Sequence, residues 1–176
     1  LEIYQWAKNN DINTGFIATG QIGITLMGQG IPLDAIKVDH ACGAVEQIVL
    51  KNRDKSLLII EGQGSLLHPG SSASLPLMRG SCPTDMILCH RADKVTLRNL
   101  EKIKIPKLKD FIDLNESLAS TCGTYGTPKV IGIALNTSKL SKSDSLNYII
   151  NLEKQTGLPV TDVIRFGVKK IVHQLL

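Results

Sequence analysis

Polar and titratable side chains follow five apolar runs of this sequence. In an open parallel sheet, ligands lie outside the carboxyl ends of the strands, so these residues are the first to consider for chemistry. We expect them to lie along one edge of a sheet and to bind a small molecule. The five sets are Thr19-Gly20-Gln21, Asp39-His40, Glu61-Gly62-Gln63-Gly64-Ser65 with His68, His90-Arg91, and Asn136-Thr137.

Glu61 follows the most apolar run, Leu57-Leu58-Ile59-Ile60. A carboxylate at the tip of a buried strand is well placed to hold Mg²⁺, directly or through water, beside the phosphates of a nucleotide. Gly62 and Gly64 would let backbone amides approach that ligand, because neither carries a side chain. The alternative is that Glu61 caps the following turn and that the two glycines merely permit the turn.

Asp39 is the second candidate metal ligand. Two carboxylates on neighbouring strand ends can share one hard cation, so Asp39 and Glu61 together predict a magnesium site. If the two are not neighbours, Asp39 is better explained as the N-cap of a helix that begins near Ala41.

His68 and His90 are the candidate acid-base groups, since histidine titrates near neutral pH. An isolated histidine is more often structural, and that alternative stays open for both. Ser65 lacks the G-x-S-x-G setting of a hydrolase nucleophile, because Leu67 stands where the second glycine belongs.

The elements that must position these residues alternate between helix and strand. This alternation predicts an α/β fold with a mostly parallel sheet flanked by helices. We expect residues 23–32 to form a long loop, and the lysine-rich stretch 94–109 to form an exposed connection. We predict strands at 16–18, 35–38, 57–60, 86–89, 130–135 and 158–160, and helices at 1–7, 42–50, 71–79, 108–120, 143–155 and 166–175.

Composition indicates a soluble globular chain that acts on small molecules. The chain has 176 residues, 43% hydrophobic and 20% charged, enough for a sizeable core. A net charge of +4 and an aromatic content of 4% argue against nucleic-acid binding. No apolar run is long enough to span a bilayer and no signal peptide opens the chain, so we expect no membrane partner and a cytoplasmic location. The four cysteines lack a C-x-x-C pair and are expected to be free thiols, buried or incidental.

The sequence contains no phosphate-binding loop of the type G-x-x-x-x-G-K-[ST]. In P-loop folds this loop lies between the first strand and the first helix, whereas this chain begins inside a helical pattern. We therefore expect residues 1–176 to form a single P-loop-like domain that lacks its first strand and phosphate loop, and we expect the isolated chain to be poorly soluble.

Several ordered motifs resemble one known family. The chain is similar over nearly its whole length to the C-terminal domain of the D-glutamate N-acetyltransferase-like family, part of which is known only as a domain of unknown function. The resemblance implies a Rossmann-like N-terminal domain followed by this P-loop domain. The motifs are Phe-Ile-Ala-Thr-Gly-Gln at 16–21, Ile-Glu-Gly-Gln-Gly-Ser-Leu-Leu-His-Pro at 60–69, Leu-Cys-His at 88–90, Gly-Ile-Ala-Leu-Asn-Thr at 132–137 and Leu-Pro-Val-Thr-Asp-Val-Ile-Arg-Phe-Gly at 158–167.

The resemblance implies transfer of an acetyl group from acetyl-CoA to a small acidic amino acid. A more distant similarity to dethiobiotin synthetase implies instead an ATP- and Mg²⁺-dependent ligase or kinase, with Asp39 and Glu61 as metal ligands and Asn136 against the adenine base. A third hypothesis is a nucleotide-binding or assembly module without catalysis. We expect a homo-oligomer in each case.

Overall fold

The computed structural model describes residues 1–175, which divide into two compact units. The first is built mainly from residues 3–82, and the second from Pro83 onward. Each unit contains parallel strands flanked by helices, so the predicted α/β class with parallel pairing is confirmed.

The first unit contains a two-stranded parallel sheet. Strand β1 pairs with β2 in a register that runs from Thr14 opposite Leu57 to Ile17 opposite Ile60. Its elements are α1 (Glu2–Asn9), β1 (Thr14–Ile17), α2 (Gln21–Met27), a 3₁₀ helix (Leu33–Ala35), α3 (Val38–Lys51), β2 (Leu57–Ile60) and α4 (Ser74–Ser81). Its apolar core joins the 3₁₀ segment to α3 and α4, and the buried residues are Ile31, Leu33, Ala41, Val45 and Leu77.

The second unit contains a three-stranded parallel sheet in the order β3-β6-β7 and a separate antiparallel hairpin, β4-β5. Its elements are β3 (Asp85–Arg91), β4 (Thr96–Leu97), β5 (Leu100–Lys104), α5 (Leu108–Ser120), β6 (Lys129–Asn136), α6 (Lys142–Thr156), β7 (Val160–Thr161) and α7 (Lys169–Val172). The core is aliphatic and its buried members are Ile112, Val130, Ile133, Leu135, Ile149, Leu152 and Val160.

Local sequence accounts for helix α6 especially well. The Ser141 hydroxyl accepts a hydrogen bond from the Asp144 amide, which caps the first turn. At the other end Gly157 adopts φ +73°, the left-handed conformation that commonly ends helices and that glycine adopts without strain. Both ends agree with the predicted helix at 143–155.

Two predictions between Gly20 and Asp39 are wrong. The glycine-rich segment is not one long loop, because Gln21–Met27 forms helix α2. The predicted strand at 35–38 is absent, because Ala35 ends the 3₁₀ helix Leu33–Ala35, Val38 begins α3, and only Ile36 and Lys37 lie between them. Asp39 therefore lies in the first turn of α3 and follows no strand; the N-cap position belongs to Lys37.

Three other predictions hold only in part. The apolar run 57–60, which we expect to be a buried strand, forms β2, but all four of its residues are half-buried and within residues 1–175 it pairs only with β1. The lysine-rich stretch contains the β4-β5 hairpin. Within the predicted helix at 166–175, α7 covers only Lys169–Val172.

The four cysteines are free, as expected, but none is buried: Cys42 is half-buried and the other three are exposed. None of the helices described, over residues 1–175, is both long and apolar enough to cross a bilayer.

Candidate functional site

Glu61 holds the loop that follows the neighbouring strand. Its Oε2 accepts hydrogen bonds from the backbone amides of Thr19 at 2.8 Å and Gly20 at 3.0 Å. The Thr19 hydroxyl donates in turn to the Glu61 carbonyl oxygen at 2.9 Å. Strands β1 and β2 are parallel and in register, so their carboxyl ends meet at this point. Glu61 thus fixes the entry into helix α2 rather than capping the turn after β2.

This arrangement does not fit the predicted magnesium site. The Oε2 atom faces two N–H groups, whose positive ends favour an anion and disfavour a cation. Asp39 is exposed in the first turn of α3, so the two acids do not stand on neighbouring strand ends. Across residues 1–175 there is no cluster of three or more histidine, cysteine, aspartate or glutamate side chains arranged to bind a metal. Of the two Glu61 carboxylate oxygens, Oε1 is the one that these two amides leave available.

Helix α2 contacts the same carboxylate. A Cβ atom added at Gly23 would lie 2.8 Å from Glu61 Cδ and closer still to Oε2, so any larger residue would displace the carboxyl group. A Cβ at Gly20 would lie 3.1 Å from Gln63 Oε1, which places the Gln63 side chain beside this loop. The structure therefore brings together two sets predicted separately from the sequence, 19–20 and 61–63.

The other predicted residues of this unit have local partners. The Gln21 amide donates to Asp34 Oδ2 at 3.1 Å. Gly64 adopts φ +73°, and the Ser71 hydroxyl occupies the place where a Cβ would stand, so the turn requires glycine at this position. Gly62 has open space where a Cβ would stand and remains able to let a ligand approach the backbone.

His68 uses one ring nitrogen within its own turn. Its Nδ1 accepts a hydrogen bond from the Gly70 amide at 3.1 Å. A backbone N–H can only donate, so Nδ1 acts as the acceptor here and is occupied by the turn. Of the two ring nitrogens, Nε2 is the one left to contact a substrate.

The second unit places another set of candidates at the carboxyl end of its sheet. His90 and Leu135 are partners across β3 and β6, as are Arg91 and Asn136. Because side chains alternate along a strand, His90 lies on one face of the sheet and Arg91 and Asn136 lie on the other. His90 is half-buried, and burial lowers its pKa, so the ring is neutral at pH 7.

Arg91 is already paired with an acid. Its Nε donates to Asp93 Oδ1 at 2.7 Å and its Nη2 donates to Oδ2 at 3.2 Å. Hydrogen bonding from Arg91 lowers the pKa of Asp93. This bidentate pair leaves the guanidinium less available to a substrate carboxylate or phosphate than a free arginine would be.

Asn136 is exposed, and its orientation is fixed. Its Oδ1 accepts a hydrogen bond from the Ser138 amide at 3.0 Å, which leaves both N–H groups of Nδ2 available to a ligand. The next residue, Thr137, is buried and bound to Asp162 through both its amide and its hydroxyl.

Asp162 is the residue that sequence reasoning missed. It stands directly after β7 (Val160–Thr161), so the rule that selects polar residues after strands would have found it. The strand is only two residues long, however, and gives a weak local pattern.

Comparison with known proteins identifies the chain's relatives. Residues 1–172 match the family model described as a domain of unknown function (DUF1611_C), P-loop domain. The chain is 35% identical over 165 residues to the D-glutamate N-acetyltransferase of Tritonibacter scottomollicae, covering 93% of this chain and 49% of the relative. It is 34% identical over 176 residues to the D-glutamate N-acetyltransferase of a Pseudoalteromonas species, covering 99% of this chain and 52% of the relative.

A solved structure agrees with these matches. The crystal structure of a DUF1611 family protein from Anabaena variabilis, at 2.30 Å resolution, superposes with a TM-score of 0.96 at 46% identity. The match covers 99% of this chain and 51% of that one, so the chain spans about half the length of the proteins it matches. The chain belongs to the DUF1611 family, in which it corresponds to the P-loop domain.

Proposed function

We propose that this chain is the nucleotide-binding part of an enzyme that transfers the acetyl group of acetyl-CoA to the amino group of a small acidic amino acid, D-glutamate first. The similarity to two relatives named D-glutamate N-acetyltransferase carries the proposal, since each aligns with nearly the whole chain. The activity is proposed for the intact protein, because the chain spans about half of those relatives.

Asn136 supports binding of the adenine end of CoA. An exposed side-chain amide with two free N–H groups and one spare lone pair matches the edge of adenine, which presents ring-nitrogen acceptors beside an amino donor. The Ser138 amide holds Asn136 in one orientation, so less rotamer freedom is lost on binding.

His90 is our candidate for the base that accepts the proton of the substrate amine. In the transfer, the amine nitrogen attacks the thioester carbonyl carbon, the C–S bond breaks, and CoA leaves as a thiolate that takes up a proton. The amine must be neutral to attack, and a neutral imidazole can accept the proton that the nitrogen loses. His90 meets this requirement because burial lowers its pKa. Although His90 and Asn136 face opposite sides of the sheet, the pantetheine arm separates adenine from the thioester, so the two groups need not be adjacent.

The ATP- and Mg²⁺-dependent alternative has weaker support. It depends on Asp39 and Glu61 as metal ligands, and the Thr19 and Gly20 amides already occupy the Oε2 atom of Glu61. Mg²⁺ usually keeps several waters and takes one or two carboxylates, so Glu61 Oε1 alone offers a minimal site. We therefore assign no reaction step to a metal.

The test is an acetyl-transfer assay on the intact protein with acetyl-CoA and D-glutamate, followed by release of free CoA thiol. We expect Asn136→Ala to raise the KM for acetyl-CoA about tenfold with kcat nearly unchanged, since it removes binding that is equal in ground and transition states. We expect His90→Gln to lower kcat by about 100-fold or more. Asn151→Ala, which changes an exposed asparagine of α6, is the matched control and should change neither constant.

Two outcomes would contradict the proposal. Release of ADP from MgATP in the presence of a small carboxylate, without acetyl transfer, would support the ligase. Tight binding of an adenine nucleotide without turnover of any kind would support the non-catalytic module.

A further inference from the structure

A buried carboxylate lies at the carboxyl end of β7. Asp162 is 4% exposed, and its two oxygens together accept four hydrogen bonds. Buried carboxylates are rare unless they are fully hydrogen-bonded, because an unpaired buried charge is costly. No lysine or arginine side chain forms an ion pair with Asp162 in the part of the chain that the structure describes, so hydrogen bonds alone stabilise the charge.

The two carboxylate oxygens of Asp162 accept hydrogen bonds from two different loops. Its Oδ2 accepts from the amide of Thr137 at 3.0 Å and from the Thr137 hydroxyl. Its Oδ1 accepts from the amides of Ile164 and Arg165, both at 3.1 Å. One carboxylate therefore ties the loop after β6 to the loop after β7.

Beside each of these two anchoring points lies one exposed side chain suited to an aromatic base. Asn136, next to Thr137, offers a side-chain amide. Ile164 is 77% exposed, and its backbone amide is held by Asp162. Amide groups read the edge of a base by hydrogen bonding, and apolar side chains pack against its face.

A second set of bonds supports the β7 loop from outside. Arg165 Nη1 donates to the Leu140 carbonyl at 3.0 Å and to the Ser145 hydroxyl at 2.8 Å. The Thr161 hydroxyl donates to the Gly167 carbonyl at 2.9 Å. The loop that carries Ile164 is thus fixed at both ends, which is the rigidity that a preformed binding site requires.

We propose that Asp162 is a positioning residue for base recognition: it fixes Asn136 and Ile164 as the edge and face contacts of one adenine site. The inference rests on the proposed nucleotide-binding function and adds to it the part of the fold that sets specificity for the base. Asp162 acts through Thr137 and the Ile164 amide, and it does not touch the ligand.

The ionisation of Asp162 agrees with this role. Burial would raise the pKa of its carboxyl group, but the hydrogen bonds from Thr137, Arg165 and Ile164 outweigh burial and lower it. The group therefore remains a charged acceptor throughout the neutral range, so both loops stay held.

The test compares dissociation constants for ADP and GDP, measured by titration calorimetry on the intact protein. ADP is the adenine nucleotide unit that ATP and CoA share, and GDP differs in its base. We expect the wild type to prefer ADP. Thr137→Val removes one bond to Asp162 without substituting Asn136 itself, and we expect it to reduce the ADP-to-GDP preference about tenfold with little change in GDP affinity.

Two further variants separate positioning from general destabilisation. Thr137→Ser keeps the hydroxyl and should retain the wild-type preference. Thr14→Val removes another buried threonine hydroxyl, which donates to the Ile12 carbonyl in the other unit, and it should lower the melting temperature without changing the preference.

The possible results distinguish this inference from the proposed function. If Asn136→Ala abolishes the preference but Thr137→Val and Asp162→Asn keep it at the wild-type value, the positioning role is wrong and the adenine site stands. If Asn136→Ala also keeps the wild-type preference, or if the wild type binds neither nucleotide, the adenine site fails and the positioning role fails with it.

Discussion

Gly23→Ala tests most sharply whether the Glu61 carboxylate holds the loop at Thr19 and Gly20. Gly23 is inside helix α2, where alanine is normally favoured over glycine by about 1 kcal/mol. Here the added Cβ would meet the Glu61 carboxyl group, 2.8 Å from Cδ. The carboxylate must then move away from the amides of Thr19 and Gly20, and both hydrogen bonds are lost.

The expected magnitude follows from those two bonds. Hydrogen bonds to charged groups contribute about 1.5 to 3 kcal/mol each, and Glu61 is only half-buried, so the lower end of the range applies. After the gain in helix propensity, Gly23→Ala should lower the free energy of unfolding by about 2 kcal/mol. Gly43→Ala is the matched control, because Gly43 lies inside α3 with open space around its Cβ position; it should raise stability by about 0.5 to 1 kcal/mol.

Urea denaturation of the two variants measures these changes, and hydrogen exchange at the Thr19 and Gly20 amides locates them. The decisive comparison repeats Gly23→Ala in a Glu61→Ala background, where no carboxylate remains to be displaced. The effect should change sign and become stabilising by up to about 1 kcal/mol. If Gly23→Ala lowered the free energy of unfolding equally in both backgrounds, Glu61 would not be the cause of the loss. A Gly23→Ala protein as stable as Gly43→Ala would also refute the role of Glu61.

Three other predictions use the ionisable groups. Burial lowers the pKa of His90, so the fall in kcat that depends on His90, and that is absent from His90→Gln, should occur only below pH 6.5, the ordinary value for histidine; a His90-dependent fall that begins above pH 7 would exclude His90 as the base. The lowered pKa of Asp162 stabilises the folded protein at pH values above 3.8, the ordinary value, and this stabilisation is lost as the pH falls through the lowered value. In urea titrations the stability difference between wild type and Asp162→Asn should therefore be constant from pH 7 to about pH 5 and shrink in stronger acid, whereas a difference that grows in acid would contradict the assignment. Lys129→Met should change the stability little because Lys129 is exposed, while Glu116→Ala should cost about 1 to 3 kcal/mol because the Val130 amide also loses its acceptor; equal costs in thermal unfolding would mean that the Val130 bond contributes nothing.

Local sequence patterns predicted the elements whose signals lie within them. Helix α5 spans the predicted residues because its apolar positions recur at helical spacing, and α6 carries its own serine cap and glycine stop. Strands β2 and β6 are continuous apolar runs that need no distant partner to be recognised.

Helix α2 could not be predicted in this way. Gly23 looks like a helix breaker, and the reason it is tolerated lies 38 positions further along the chain, in the Glu61 carboxylate that needs the space. The sequence also could not show that Glu61 faces backbone amides, since the same strand-end acid fits a metal ligand equally well. Asp39 was misplaced because the apolar run before it looked like a strand, although Pro32 introduces a 3₁₀ turn that leads straight into α3.

At the carboxyl end of the sheet in the second unit, the sequence pattern predicted the exposed Asn136 but not the residues that hold it in place. Asn136 follows a long, clear strand, whereas the contact between Thr137 and Asp162 joins residues 25 positions apart through a strand of two residues. Supporting residues of this kind depend on tertiary contacts and become visible only in the folded structure.

A crystal structure of the intact protein grown with CoA would show whether Asn136 receives the adenine end of CoA. We expect the adenine edge within hydrogen-bonding distance of Asn136 Nδ2, with the loop from Asp162 to Arg165 against the base. CoA bound with its adenine elsewhere, and Asn136 facing only solvent, would contradict it.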